Sequence, residues 1–241
     1  MLDPVFQDCR EDVADLLSAG TVDAAAQRTL LAIESLAPDP SIITSAFHFV
    51  VLGVRYATEG NNTAAREAFD HALDIASGIS DNGDLRPQIY RNVAAALDSV
   101  GCHTSAARCL EASIELGADG SAVWHALGRA RLKGDDPAGA LRALDHAQRL
   151  KPTADVVSDR VLAEMSIDPS NQVARRALAR LKASRPDQVS VRWDFALGCA
   201  YQLTGEVEAA IGAFQRVLEH ANGELGFSEL SKARRAVRAH A

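Results

Sequence analysis

An all-α fold is expected from this sequence, a solenoid in which helices pair antiparallel and the pairs stack on one another. Three observations lead there. The chain of 241 residues is 47% hydrophobic but only 5% aromatic, and its apolar share is rich in Ala and Leu, which favour helix and let helix backbones approach. The stretch 121–152, SAVWHALGRARLKGDDPAGALRALDHAQRLKP, sets Trp124, Leu127 and Gly128 ahead of Ala140, Leu144, Ala147 and Pro152. The same intervals of small, large and turn residues then recur along the chain at a period of about 34 residues.

Each part of the 121–152 stretch has a mechanical reason. Gly128 and Ala140 fall where the two helices of one pair cross, at an interaxial distance of about 8–10 Å that larger side chains would widen. Trp124, Leu127 and Leu144 fill the space beside the crossing. Asp135-Asp136-Pro137 starts the second helix, with a carboxylate near unpaired amides and Pro in the first turn. Pro152 ends it, because Pro disfavours helical dihedrals in the residue before it.

The remaining elements follow in order. Residues 7–40 carry Val13, Ala14, Leu17, Gly20, Ala26, Leu30 and Pro38 in the corresponding places, a degenerate first pair. Residues 46–79 carry Phe49, Leu52, Gly53, Tyr56, Ala65, Phe69 and Ala72. The segment after them holds Gly78, Asp81, Asn82, Gly83 and Pro87 and reads as a loop. Residues 87–120 repeat the pattern with Tyr90, Val93, Ala94, Leu97, Ala106, Leu110 and Ser113. After the 121–154 pair, residues 155–188 keep Val161, Met165, Ala174, Leu178, Leu181 and Pro186. Residues 191–224 show Leu197, Gly198, Tyr201, Ala210, Phe214 and Val217.

The small residue of each second helix therefore sits at Ala26, Ala65, Ala106, Ala140, Ala174 and Ala210, at spacings of 39, 41, 34, 34 and 36. A lone hairpin cannot bury its apolar face, so stacking must supply the core. Residues 226–241 read as a closing helix, with Phe227, Leu230 and Val237 on one face and Lys232, Arg234, Arg235 and Arg238 around the rest. One continuous domain, 1–241, is expected.

These residues resemble the tetratricopeptide repeat (TPR) family, whose signature W-x2-L-G, A-x3-(large apolar), P is matched at 121–152 except that Arg131 stands where the family usually has an aromatic. The resemblance implies a right-handed superhelix of six units and a capping helix, acting as a non-catalytic adaptor or scaffold. In that family the first helix of each unit lines a concave groove that holds a polypeptide. Carried onto this chain, the groove positions are Val50 and Val54, Arg91 and Asp98, His125, Arg129 and Lys133, Asp159, and Phe195, Cys199 and Gln202, with Asn92 beside the line. Arg91, His125 and Arg129 resemble the carboxylate clamp of TPR co-chaperones. The clamp's Asn is replaced at one place by Ala95, so the full clamp is not present. An acidic or carboxylate-bearing protein or peptide segment is the expected partner, since Arg grips carboxylates bidentately, with an apolar shelf beside it at Val50, Val54 and Phe195. Internal pairing of the basic residues with Asp98 and Asp159 is the alternative.

Other function classes are disfavoured. A net charge of −7 lacks the basic footprint of a general nucleic-acid binder. The apolar run 42–54 is interrupted and too short to span a bilayer, and no basic-then-apolar leader opens the chain, so membrane insertion is not expected. Cys9, Cys102, Cys109 and Cys199 show no CxxC, which suits reduced thiols and a cytoplasmic setting. No metal or cofactor motif occurs, and none is expected. A homo-oligomerising structural module is the second reading, and an enzyme with an atypical site on a helical scaffold is the third.

Overall fold

The computed structural model describes residues 85–99, 101–186, 190–221 and 225–239, together with scattered residues between 49 and 72 (49, 52–53, 55–56, 59–61, 63–65, 67–68 and 70–72). The expected pair at 7–40 and the groove positions Val50 and Val54 lie outside them, as does the side chain of Asn92. Two compact units divide the chain, Met1–Asp119 and Gly120–Ala241. All of the described regular structure is helical.

In the first unit, α1 (Leu85–Ser99) packs on α2 (His103–Glu115). Val93, Ala94, Leu97, Ala106, Cys109 and Leu110 are buried, so small residues lie on both helices of this pair. The Ser113 hydroxyl donates to the Pro87 carbonyl at 2.8 Å, tying the end of α2 to the start of α1. Upstream, Ala65, Ala68 and Ala72 are buried as well, and Phe49 stacks on His71 with ring centroids 5.2 Å apart.

The second unit holds α3 (Ser121–Lys133), α4 (Pro137–Leu150), α5 (Ala154–Ile167), α6 (Asn171–Ala183), α7 (Val191–Thr204), α8 (Val207–His220) and α9 (Phe227–Arg238). Consecutive helices pack as pairs, α3 on α4, α5 on α6 and α7 on α8. The starts are written in the sequence. Asp136, Thr153, Ser170 and Ser190 each accept the amide three residues on, capping α4, α5, α6 and α7, and each such cap is worth about 1 kcal/mol. Lys151, just before Pro152, is extended at φ −154° and closes α4, as the steric demand of the proline ring requires.

The helix crossings are closed by small residues. A methyl group added at Gly198 would lie 2.6 Å from Cε1 of Phe214, a ring with no solvent exposure. Gly128 faces Leu144 in the same way. Arg131, in the place of the expected aromatic, lays its stem along the pair and donates from Nη1 to the Gly139 carbonyl at 3.1 Å. A long cationic side chain can thus cover apolar surface while its head finds an acceptor.

The first helices touch one another in succession, α3 with α5, α5 with α7 and α7 with α9, whereas α4, α6 and α8 pack chiefly on first helices. Within this unit the first helices form the inner row. Gly198→Ala should lower folding stability by about 1–3 kcal/mol through overpacking. Gly212→Ala in α8, where the nearest atom is the Arg216 guanidinium at 3.9 Å, should instead raise it by about 0.5–1 kcal/mol. Urea unfolding of the two variants checks the opposite signs.

Candidate functional site on the inner helix row

The inner row of the second unit is tied together by charge. Asp159, on α5, is fully buried. Its Oδ2 accepts from His125 Nε2 on α3 at 2.8 Å, and Arg129 Nε lies 4.0 Å from the same oxygen. On the other side Arg192 Nη1, from α7, stands 3.3 Å from Oδ1. Arg192 is itself nearly buried and also donates to Glu229 Oε1 of α9 at 2.6 Å. The second oxygen of Glu229 accepts the Gly226 amide at 2.8 Å, closing the start of α9. A ladder therefore runs His125, Asp159, Arg192, Glu229 through α3, α5, α7 and α9, with charge alternating from Asp159 to Arg192 to Glu229.

Burial by itself pushes the Asp159 carboxyl up, but the Arg192 charge, the His125 hydrogen bond and Arg129 outweigh it and hold the carboxyl below its ordinary value of 3.8. Asp159 is thus an ionised acceptor, so the proton of the His125 contact sits on the ring nitrogen Nε2. For Arg192 the desolvation penalty is likewise overcome by Asp159 and Glu229, and its pKa is raised. Asp159 and Arg192 thus favour each other's ionised form across the α5–α7 contact.

The expected groove residues fall into two sets. Asp159, Phe195 and Cys199 are buried and belong to the packing of the row. Phe195 packs on Phe214 of α8 at 6.0 Å between ring centroids, and Lys232 of α9 lies over the Phe195 ring at 6.0 Å and beside the Cys199 thiol. His125 is mostly covered, at 19% side-chain exposure. Arg129 and Lys133 are part-exposed and Gln202 is exposed. In the first unit Arg91 is half-buried, while Asp98 accepts from His103 at 2.8 Å.

Arg129 differs from its neighbours. Its side chain is 36% exposed and makes no hydrogen bond among the described residues, Nε being buried without a partner. The Arg91 Nε is in the same condition. An arginine held over a buried carboxylate with its donors unfilled is suited to an incoming acceptor. Two of the thiols are held protonated at neutral pH, since burial pushes Cys109 up to about 12 and raises Cys199. Among the described residues no three His, Cys, Asp or Glu side chains converge as a metal set, and no helix is long and apolar enough to cross a membrane.

Arg192 and Glu229 are not among the residues expected from the sequence. A signal for them exists, because His125, Asp159, Arg192 and Glu229 are separated by 34, 33 and 37 residues, close to one repeat. Residues one repeat apart stand side by side on adjacent first helices.

No protein-family model matches this chain, and no curated protein matches it. Solved structures do. The chain is similar to TTC0263, a thermophilic TPR protein of Thermus thermophilus, at 18% identity over 80% of this chain and 99% of that one, with a TM-score of 0.53. It is also similar to YrrB, a TPR protein with an unusual peptide-binding site, at 16% identity over 88% and 100%, TM-score 0.47. A third is MamA, at 19% identity over 76% and 97%, TM-score 0.46.

Asp159→Ala should cost about 3–5 kcal/mol, because it leaves Arg192 as an under-compensated buried charge. The pH dependence has a definite sign. A carboxyl lowered on folding stabilises the fold above its unfolded value of 3.8 and loses that contribution as pH falls through the folded value. Asp159→Asn should therefore flatten the acid limb of stability below about pH 4 relative to the parent chain. Urea midpoints measured between neutral pH and about pH 2.5 check it.

Proposed function

Taking the tetratricopeptide-repeat fold of this chain as the premise, we propose that it is a non-catalytic scaffold whose inner helix row holds an acidic or carboxylate-bearing segment of another protein. The observation that carries this is Arg129, a part-exposed arginine with no hydrogen bond among the described residues, mounted on a helix that the buried ladder fixes in place. Gln202 on the same row adds an exposed amide, and Lys133 adds positive charge at the end of α3. His125 and Asp159 act behind this surface by setting the position of α3 against α5.

Part of the expected apolar shelf is withdrawn from that surface, since Phe195 lies under Lys232. Recognition on the second unit is therefore chiefly ionic and weakens with salt. Arg91 offers the same chemistry on α1 of the first unit. The continuous array of six repeats and a cap, the cytoplasmic setting and the absence of catalysis belong to this same reading.

The test is a fluorescein-labelled library of Asp- and Glu-rich peptides with free C-termini, followed by fluorescence polarisation. Arg129→Ala should weaken the selected peptides by about tenfold or more, the worth of one charge-assisted hydrogen bond, while its urea midpoint falls by less than that of Asp159→Ala, because His125 and Arg192 still face the carboxylate. Equal affinity for parent and variant contradicts the assignment.

A further inference from the structure

The second unit carries a second surface, which draws on α5 of the inner row but on none of the Arg129, Lys133 or Gln202 side chains. Between α4 and α6 runs a cleft lined by Leu141, Glu164, Ile167, Val173, Arg176 and Arg180. It adjoins a second cleft lined in part by Arg149, Arg160 and Arg180. Its floor is apolar, and Ile167 is 49% exposed there, a large side chain left open to solvent beside arginines.

The charges around these clefts do not cancel. Arg160 pairs with Asp145 and Glu164, and Arg180 pairs with Glu164, so these four residues neutralise one another. Beyond them α6, NQVARRALARLKA, has no acidic residue at all. Arg142, Arg175 and Arg176 have no ionic partner among the described residues, and Arg142, Arg149, Arg175 and Arg176 are all exposed. A cationic rim thus surrounds an apolar floor.

The opposite charge is in the same chain. The first unit, 1–119, has 18 Asp and Glu against 7 Lys and Arg, a net charge of −11, whereas residues 120–241 have 14 against 18, a net charge of +4. Glu67, Asp70 and Glu115 are exposed acids of that first unit. We propose that the outer α4–α6 cleft is a self-association surface, which takes the acidic first unit of a second copy of this chain. The two surfaces differ, so the contact is heterologous and each copy retains one free donor and one free acceptor face. Growth then yields a series of species rather than one closed dimer. The ionic part is screened over a Debye length of about 10 Å at 0.1 M salt, while Ile167 contributes a part that salt does not weaken.

Sedimentation velocity of the full chain across a concentration series, at low salt and at about 0.5 M salt, tests this. The parent chain should show concentration-dependent species beyond the dimer at low salt, shifting toward monomer at high salt. The double variant Arg175→Glu/Arg176→Glu should weaken association at low salt by about tenfold or more, with circular dichroism and thermal midpoint unchanged. Arg129→Ala should associate as the parent does, which separates this surface from the inner row. A parent chain that stays monomeric at low salt overturns the proposal, as does a double variant that associates undiminished. A monomeric chain that captures poly-glutamate, but not itself, also overturns it and assigns the cleft to a foreign acidic partner.

Discussion

Asp159 is a carboxylate with no access to water, and the second unit is built around keeping it ionised. Removing such a group from solvent costs several kcal/mol unless opposite charges stand close by with good geometry. Here the compensation comes from the helices on either side, His125 and Arg129 on α3 and Arg192 on α7. Arg192, in turn, needs Glu229 on α9. A sliding or rotation of any first helix would leave a charge unpaired, so the ladder fixes the register of four elements at once. Apolar packing between Ala-rich helices is less exacting, because small side chains interlock over several alternative offsets.

The helical pairs were legible because close crossing is a local demand that a small residue must meet at a fixed distance from a large one. Ala140 with Leu144 and Gly198 with Phe214 announce themselves in that way, and Pro152 and the Asp136 cap mark the limits of α4. The site was legible only in part. A charged residue on a first helix reads as solvated, and nothing in the local sequence of Asp159 says that it is buried. What decides its fate is a partner 33 or 34 residues away, visible only when the repeats are laid over one another. Phe195 and Cys199 were expected on an open wall, but both belong to the core shared with Phe214 of α8, and Lys232 of α9 reaches back beside them. The small and large signature residues end before that helix, and only the 37-residue step from Arg192 to Glu229 ties it to the repeat.

The two faces of the second unit then divide the work by charge geometry. Inside, most charge is consumed by the ladder, and Arg129 is a charged residue left with unfilled donors among the described residues. Outside, the Asp145–Arg160–Glu164–Arg180 network closes on itself and leaves a surplus of arginines around Ile167. A scaffold with one face for a partner and another for its own copies needs both surfaces to be independent, and here they share no ionic partner among the described residues.

The most direct measurement is amide hydrogen exchange, read by mass spectrometry, on the parent chain and on Asp159→Asn at neutral pH. If the ladder makes the inner row one cooperative unit, the substitution should raise exchange in α3, α5, α7 and α9 together, including residues more than one repeat from the change. A rise confined to α5 and its immediate loops would contradict it, and would reduce Asp159 to a local packing defect in an otherwise independent stack.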